Sequence, residues 1–344
     1  MTNRSEIDGW EDLLARPAPL LALAPMQDVT DLDFWRLTTR YAVADLYYTE
    51  YFRVHPDSRL DKPILRSITE NPTNRPVVAQ MIGNDIPSLV RSARELGNYP
   101  VAAIDLNLGC PAPIVYRKCA GGGLLRDLPL VDRILGSLRE AITGRFTVKT
   151  RIGFDNPETL DALLPLLMRH RIDLVTVHGR TVTQKYRPGV RQDRITDAVQ
   201  ALPMPVLANG DVDSPSSAVS CLQATGARGL MIGRAAIRNP WIFSQIRNTL
   251  AGEAIMLPTG KEVLAYVYDI FETVCDPSVS ETFQVQRMKK YMGFLGQAVD
   301  PAFLHSILRV RARSDFFALC DEYLDHSEPM ALSPISIPLQ ATNS

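Results

Sequence analysis

Short apolar segments alternate regularly with helix-length amphipathic segments between residue 20 and about residue 250. The apolar segments predict eight strands, at residues 20–26, 45–50, 77–82, 103–108, 147–152, 174–178, 206–209 and 229–232. Helices are predicted between them, at residues 31–41, 86–96, 129–142, 157–170, 194–202 and 214–224. Eight strand–helix repeats favour a parallel (β/α)8 barrel, the TIM barrel, over the alternative of a doubly wound open sheet.

The pattern changes after residue 260, where helices are predicted at residues 261–274, 281–295, 301–310 and 314–324 with no strand between them. The predicted fold class is therefore α/β, a parallel (β/α)8 TIM barrel followed by a small all-helical C-terminal domain. We divide the chain into an N-terminal extension (1–18), the barrel (19–255), the helical domain (256–326) and a tail (327–344). The tail contains three prolines and no hydrophobic period, and we expect it to be disordered.

Composition limits the surroundings and partners of the chain. With 37 Lys and Arg residues against 38 Asp and Glu residues, the formal net charge is -1, so a nucleic-acid partner would need a local basic surface. Five cysteines without a CxxC pair argue for a reducing compartment and against a disulfide framework or a zinc site. No apolar segment approaches membrane-spanning length and no signal peptide is recognisable. We therefore expect a cytoplasmic protein without metal or membrane contact.

The fourth predicted strand and the loop after it, residues 103–111, read Ala-Ile-Asp-Leu-Asn-Leu-Gly-Cys-Pro. Alternation directs Asp105 and Asn107 to one face and the aliphatic side chains to the other. Cys110 then lies just beyond the strand end, which is where an α/β barrel keeps its chemistry. A cysteine alone is more often a buried structural thiol. Its neighbours favour a functional role.

Polar side chains end five of the predicted strands. Lys149 and Arg151 alternate onto the face that must be the barrel interior, and a buried lysine is costly unless an anion accompanies it. Three other strands end with Gln80, with Thr176 and His178, and with Asn209, and the strand that carries Asp105 and Asn107 is the fifth. Each of these groups alone could merely satisfy a neighbour, but five strands that end alike indicate a ligand. The loops after the last two strands, which contain Gly210 with Asp211 and Gly233 with Arg234, fit the usual phosphate site of a barrel.

These motifs occur together in the order of a known family. They are Ala24-Pro25-Met26, Gln80-Met81-Ile82-Gly83, Asn107-Leu108-Gly109-Cys110-Pro111, Gly121-Gly122-Gly123-Leu124-Leu125, Val148-Lys149-Thr150-Arg151-Ile152-Gly153, His178-Gly179-Arg180-Thr181, Ala208-Asn209-Gly210-Asp211 and Ile232-Gly233-Arg234. The chain resembles the tRNA-dihydrouridine synthases over residues 20–250. Its helical part, with Arg-Met-Lys-Lys-Tyr at residues 287–291, resembles that family's RNA-binding domain.

The resemblance implies an enzyme that holds flavin mononucleotide (FMN) and uses NADPH or NADH to reduce the C5–C6 bond of uridines in tRNA. Hydride would pass from flavin N5 to C6, and Cys110 would give the proton to C5. The residues that it implies for the cofactor are Pro25, Met26, Gln27, Gln80, Lys149, His178, Asn209, Gly210, Asp211, Gly233 and Arg234. Those that it implies for the substrate are Asn107, Arg180, Arg53, Tyr186, Arg287, Lys289 and Lys290.

Within the family the resemblance is to the bacterial C-type, which implies D-loop uridine 16 as the target, and we expect a monomer. The sequences at residues 49–54, 121–123 and 186–187 support this subtype, whereas residues 116–120 depart from its pattern. Three other functions remain open. They are a flavin barrel acting on a free pyrimidine, as dihydroorotate dehydrogenases do, a non-catalytic RNA-binding flavoprotein, and a flavin-free phosphate-binding barrel such as an aldolase. The basic helical region argues against the first, Cys110 in its motif against the second, and Gln80 with Lys149 against the third.

Overall fold

A closed parallel barrel forms the centre of the computed structural model, which describes residues 9–335. Its strands are β1 (Leu20–Leu23), β2 (Leu46–Tyr48), β3 (Phe52–Arg53), β4 (Val77–Ile82), β5 (Ala103–Leu108), β6 (Phe146–Arg151), β7 (Leu174–His178), β8 (Val206–Asn209) and β9 (Gly229–Ile232). Each barrel strand pairs in parallel with its neighbours, and the pairing of β2 with β4 closes the ring. The short strand β3 pairs with the end of β4 outside the ring of eight. The predicted TIM barrel is confirmed.

Helices follow most of the strands and make up the C-terminal region. They are α1 (Gly9–Ala15), α2 (Leu32–Thr38), α3 (Lys62–Thr69), α4 (Ile86–Leu96), α5 (Pro113–Tyr116), α6 (Leu128–Ala141), α7 (Thr159–Arg169), α8 (Gln192–Ala201), α9 (Pro215–Thr225), α10 (Arg234–Arg238), α11 (Ile242–Ala251), α12 (Gly260–Val274), α13 (Glu281–Leu295), α14 (Pro301–Ile307) and α15 (Arg313–Leu324). Side-chain caps start several of them. Asp85 accepts the backbone N–H of Ser88 at the start of α4, and Thr259 and Glu262 form a capping box on α12.

The first strand is shorter than predicted, because the chain turns directly after Leu23. The hydroxyl of Thr30 donates to the carbonyl of Ala24 and accepts the backbone N–H of Met26 at 2.7 Å. Residues 24–26 are therefore held in a loop at the C-terminal end of the barrel and not in a continued strand. That loop carries the predicted cofactor residues Pro25 and Met26.

An apolar cluster fills the N-terminal half of the barrel interior. Its inward side chains include Leu20, Leu46, Leu174 and Leu207, and Trp10 of α1 packs against them from below. The guanidinium of Arg228 donates to the backbone carbonyls of residues 13, 14, 16 and 18 and so fixes the chain after α1. Part of the predicted N-terminal extension is thus a plug that closes the barrel floor.

The chain divides into two compact units. The first contains the barrel strands, and the second contains Asp33–Val43, Asp213–Ser216 and residues 233–335. The second unit has a core of its own, in which α12 and α13 bury Tyr266, Met288 and Tyr291 among other side chains. The helical C-terminal region is therefore confirmed, while the functional boundary predicted at residue 255 stays a prediction.

Two predictions for the helical region do not hold. A helix was predicted to residue 310, but α14 ends at Ile307, so Arg309 lies in the connection to α15 and shares no helical face with Arg313. The tail was predicted to be disordered, yet residues 327–335 make specific contacts although most of their side chains are exposed. Leu332 is buried, its carbonyl accepts from Nε of Arg238 at 2.9 Å, and Met330 donates to the carbonyl of residue 258. Residues 336–344 lie outside the described part of the chain.

Candidate active site

The polar strand ends converge because the strand register brings them side by side. Gln80 pairs with Asp105, and Asp105 with Thr147, across β4, β5 and β6. One step nearer the C-terminal end, Asn107 pairs with Lys149. Further round the barrel, Arg151 pairs with His178 and His178 with Asn209. In a closed barrel these inward positions form adjacent layers, so the five polar strand ends predicted from the sequence do share one interior.

A continuous chain of hydrogen bonds runs from the middle of the barrel to the Cys110 loop. Asp105 accepts from the hydroxyl of Thr147 at 2.6 Å and from Nε2 of Gln80 at 2.8 Å. Oε1 of Gln80 accepts from Nδ2 of Asn107 at 2.8 Å. Oδ1 of Asn107 accepts two backbone N–H groups, those of Gly109 and Cys110, at 2.9 Å each. The strand interior therefore fixes the loop that carries the thiol.

Cys110 lies partly exposed at the C-terminal end of the barrel, beside an apolar group formed by Tyr51, Ile82 and Val115. Burial raises the pKa of its thiol above the ordinary value, against the smaller opposite effects of the Ala112 backbone and of nearby cations. A raised pKa keeps the sulfur protonated at neutral pH. Such a thiol can donate a proton but is a poor nucleophile.

Lys149 lies beside Asn209, whose Oδ1 accepts from its ammonium group at 3.2 Å. Asn209 in turn donates to the carbonyl of Met231, which fixes the orientation of its amide. Burial, and then the charge of Arg151, lower the pKa of Lys149 to about 8. Burial raises the pKa of Asp105, a nearby carboxyl, to about 7. Lys149 is therefore a cation that would gain from an anionic ligand.

Arg151, which the sequence also places inside the barrel, binds backbone carbonyl groups of two loops. Its guanidinium donates to the carbonyl of Gly109 at 3.0 Å and to the carbonyls of Thr181 and Lys185 at 2.8 Å. These contacts join the loop that contains Cys110 to the loop after β7. The inward alternation was predictable, but the partners of the guanidinium were not.

Arg180 is almost fully buried and forms an ion pair with Asp211. Its Nη1 lies 3.4 Å from Nε2 of His178. A guanidinium only donates, so this ring nitrogen of His178 accepts and the imidazole proton resides on Nδ1. The predicted contact of Arg180 with a substrate stays a prediction, since the observed partners of its guanidinium are groups of the protein.

Two features at this end of the barrel fit a bound cofactor. Oε1 of Gln27 is buried and, within residues 9–335, has no hydrogen-bond partner, so a ligand that offers a donor would satisfy it. Gly210 has a φ of 120°, and an added Cβ would lie 2.9 Å from a methyl of Val190. Only glycine fits there, next to His178. Gly233 and Arg234 directly follow β9 and begin α10, and their predicted phosphate contact stays a prediction.

The predicted substrate residues lie in different parts of the chain. Arg53 is exposed on β3, 5.7 Å from the ring centre of Tyr51, and Tyr186 is exposed with its ring near Arg151. Arg287, Lys289 and Lys290 lie on α13 in the second unit, where Lys290 is exposed and the other two are partly buried. The sequence interpretation assigned no role to Asp105. Its inward alternation and its place two residues before Asn107 were the signals available.

Comparison with known proteins gives consistent matches. A family model described as "Dihydrouridine synthase (Dus)" matches residues 22–292. The tRNA-dihydrouridine synthase B of Xanthomonas axonopodis pv. citri is 35% identical over 253 residues, which are 73% of this chain and 75% of that protein. The tRNA-dihydrouridine synthase B of Pseudomonas syringae pv. tomato is 40% identical over 235 residues, 67% of this chain and 68% of the other. A probable tRNA-dihydrouridine synthase of Rickettsia prowazekii is 36% identical over 244 residues, 70% and 72% of the two chains.

Proposed function

Because the chain belongs to the dihydrouridine synthase family, we propose that it reduces the C5–C6 bond of specific uridines in tRNA to give dihydrouridine. The observation that carries this proposal is Cys110, whose loop is held at the barrel mouth by Asn107 and whose thiol pKa is raised by burial. A reduction across a carbon–carbon double bond needs a hydride at one carbon and a proton at the other. Its position at the barrel mouth and its raised pKa support Cys110 as the source of that proton.

We assign FMN as the cofactor of this site, with NADPH or NADH as its reductant. When bound, FMN would supply the hydride to uracil C6. The unsatisfied Oε1 of Gln27, the imidazole of His178 and the Lys149 ammonium offer an acceptor, a polar ring and a positive charge for a ring with a polar edge. Lys149 would stabilise the negative charge that a reduced flavin carries. Asn209, Gly210, Asp211, Gly233 and Arg234 would hold the phosphate end.

Cys110 would act as the general acid. Its thiol donates a proton to uracil C5 without solvent reorganisation, because the backbone N–H groups of Gly109 and Cys110 are held by Asn107. Asn107 uses its carbonyl oxygen for those two bonds and one amide hydrogen for Gln80. Its other amide hydrogen is the one polar group left for a ligand, so Asn107 would donate to a uracil carbonyl.

Recognition of tRNA would use residues of the barrel loops together with basic residues of α13. A uridine inside folded tRNA reaches the barrel mouth only when it is turned out of its stack. Arg53, Arg180 and Tyr186 are proposed contacts near the extruded base, and Arg287, Lys289 and Lys290 are proposed contacts with the phosphate backbone. D-loop uridine 16 is the target that the resemblance to the C-type implies. The relatives from Xanthomonas axonopodis and Pseudomonas syringae are both named tRNA-dihydrouridine synthase B. Mapping of the modified position would therefore decide between the B-type and the C-type.

One experiment separates this function from its main alternative. The purified protein should show the absorption of oxidised flavin. It should consume NADPH when given tRNA that lacks dihydrouridine, and it should not turn over uridine, uracil or orotate measurably. Turnover of a free pyrimidine at the rate seen with tRNA would favour an enzyme of the dihydroorotate dehydrogenase kind. A colourless protein that FMN does not reconstitute would contradict the flavin assignment.

A further inference from the structure

Asp105 is a buried carboxyl to which the proposed chemistry gives no role. Its side chain is fully inaccessible in the middle of β5 and two residues before Asn107. Among the described residues, the hydrogen-bond partners of its carboxyl are the side chains of Gln80 and Thr147. Burial of a carboxyl group costs free energy, so its presence at this position needs an explanation.

The order of donors and acceptors above Asp105 permits one arrangement. When ionised, the Asp105 carboxylate only accepts, so Gln80 presents its Nε2 to Oδ2 of Asp105 and its Oε1 to Nδ2 of Asn107. With the amide of Gln80 reversed, two oxygens would face each other at one end and two N–H groups at the other. The carboxyl at the base of the chain therefore selects the orientation of every group above it.

The loop of Cys110 is the end point of this chain. Asn107 can present Oδ1 to the N–H groups of Gly109 and Cys110 while its Nδ2 is bound by Gln80. We propose that Asp105 is the positioning residue of the active site, which acts through Gln80 and Asn107 to fix the loop that bears Cys110. For its effect on catalysis this inference rests on the proposed function, whereas its effect on the loop does not.

Amide hydrogen exchange of the purified protein tests the positioning directly. Three variants are compared with the wild type: Asp105→Leu removes the acceptor, Gln80→Met removes the middle link at similar volume, and Asp105→Asn keeps an oxygen acceptor for Gln80. Peptides that contain Gly109 and Cys110 should exchange about tenfold faster in the first two variants, and near the wild-type rate in Asp105→Asn. The amide exchange rate of β7 is the internal control and should not change. β7 pairs with β6 on the side away from β5.

A second arm distinguishes positioning from a merely structural role. The double variant Asp105→Leu with Gln80→Met should expose the Gly109 and Cys110 amides no more than either single change, because both act on one chain. Equal acceleration in β7 would mean general destabilisation and would overturn the proposal. So would unchanged exchange at Gly109 and Cys110 in Gln80→Met, a variant that carries the test even if Asp105→Leu fails to fold.

The kinetic consequence is measured separately. In Asp105→Leu or Gln80→Met, oxidation of the reduced enzyme by tRNA should slow at least tenfold, and Asp105→Asn should restore most of the rate. If the wild type itself does not reduce tRNA, the proposed function fails while the exchange result still decides the role of Asp105. Full tRNA-dependent activity together with a loosened loop would show that the positioning has no catalytic effect, and would overturn that part of the inference.

Discussion

The two halves of the barrel interior are built from the same strands but follow opposite rules. In the N-terminal half, side chains such as Leu20, Leu174 and Leu207 fill the space together with Trp10, and all are buried. In the C-terminal half, the next inward positions of several strands carry polar groups, among them Thr176 two residues after Leu174 and Asn209 two residues after Leu207. One half supplies the burial that stabilises the fold, and the other holds groups that cost stability.

The polar half bears that cost in its ionisable groups. Burial moves the pKa of Asp105 up to about 7 and that of Lys149 down to about 8, so the folded chain disfavours both charges. Groups held in this way are poised to change their charge or their partners when a ligand arrives. The free energy gained by burial in the apolar half offsets the cost of these groups within one barrel. Changes in the two halves should therefore have separable effects on rate and on stability.

The largest effect is expected at Cys110. Cys110→Ala should retain flavin, fold and tRNA affinity and leave reduction by NADPH unchanged. Oxidation of the reduced enzyme by tRNA should slow by ~10²–10⁴-fold, the usual contribution of a positioned acid. Rapid mixing measures the two half-reactions separately. Cys119→Ala is the matched control, because Cys119 is exposed on the following loop. Loss of both half-reactions together would instead indicate a structural cysteine.

The apolar half should show the reverse pattern. Leu174→Ala leaves a cavity at a fully buried position and should lower the free energy of unfolding by about 2–5 kcal/mol. Because the polar layers lie beyond it, the rate constants of the remaining folded enzyme should stay within about twofold of the wild type. Denaturant unfolding and the same half-reactions measure both. A rate loss comparable to that of Cys110→Ala would contradict the claim that the two halves affect stability and rate separately.

The charge of Asp105 gives a pH-dependent test. Its pKa in the folded chain, about 7, lies above the ordinary value of 3.8, so the folded state holds a proton that the unfolded state releases. Wild-type stability should therefore fall as pH rises from about 4 to about 7, by roughly 4 kcal/mol at most. Asp105→Asn carries no such charge and should become more stable relative to the wild type across that range.

Thermal unfolding at pH 5 and pH 8 measures this difference. The groups that face Asp105 are Tyr48, Gln80, Thr147 and Lys149, and all remain in the variant. A relative stability that does not change between the two pH values would mean that Asp105 has an ordinary pKa.

The smallest effect is expected on the helical region. Replacing Lys289 and Lys290 by Glu should raise the KM for tRNA several-fold and more at low salt, because contacts with phosphate depend on ionic strength. Reduction by NADPH should not change. For the single variant Lys290→Glu, Lys261→Glu is a control of the same charge change on α12, at an exposed residue with no proposed contact. An equal increase of KM in both variants would indicate a general charge effect and not a contact of α13.

The sequence predicted which residues lie in the polar half better than it predicted the hydrogen bonds between them. The bounds of β4, β5, β7, β8 and β9 agree with the predicted strands, because each is a short and largely apolar segment between longer amphipathic segments. Alternation also placed Asp105, Asn107 and Lys149 inside the barrel. It could not show that Gln80 joins Asp105 to Asn107, since that depends on register between strands.

Long-range packing explains the larger errors. Residues 327–335 have the composition of a disordered tail, and their order depends on contacts such as that of Leu332 with Arg238, 94 residues away in sequence. The plug formed by Trp10 depends in the same way on strands far along the chain. Neither contact has a local signal in the sequence.

In the part of the chain that the structure describes, no helix is both long and apolar enough to cross a lipid bilayer.

The central claim, that the polar half of this barrel reduces a uridine in tRNA, is tested most directly by mapping dihydrouridine in tRNA from a strain that lacks this protein. We expect dihydrouridine to be lost at one D-loop position, 16, and to be restored by the wild-type chain but not by Cys110→Ala. Dihydrouridine that is unchanged at every position of every tRNA in that strain would contradict the account.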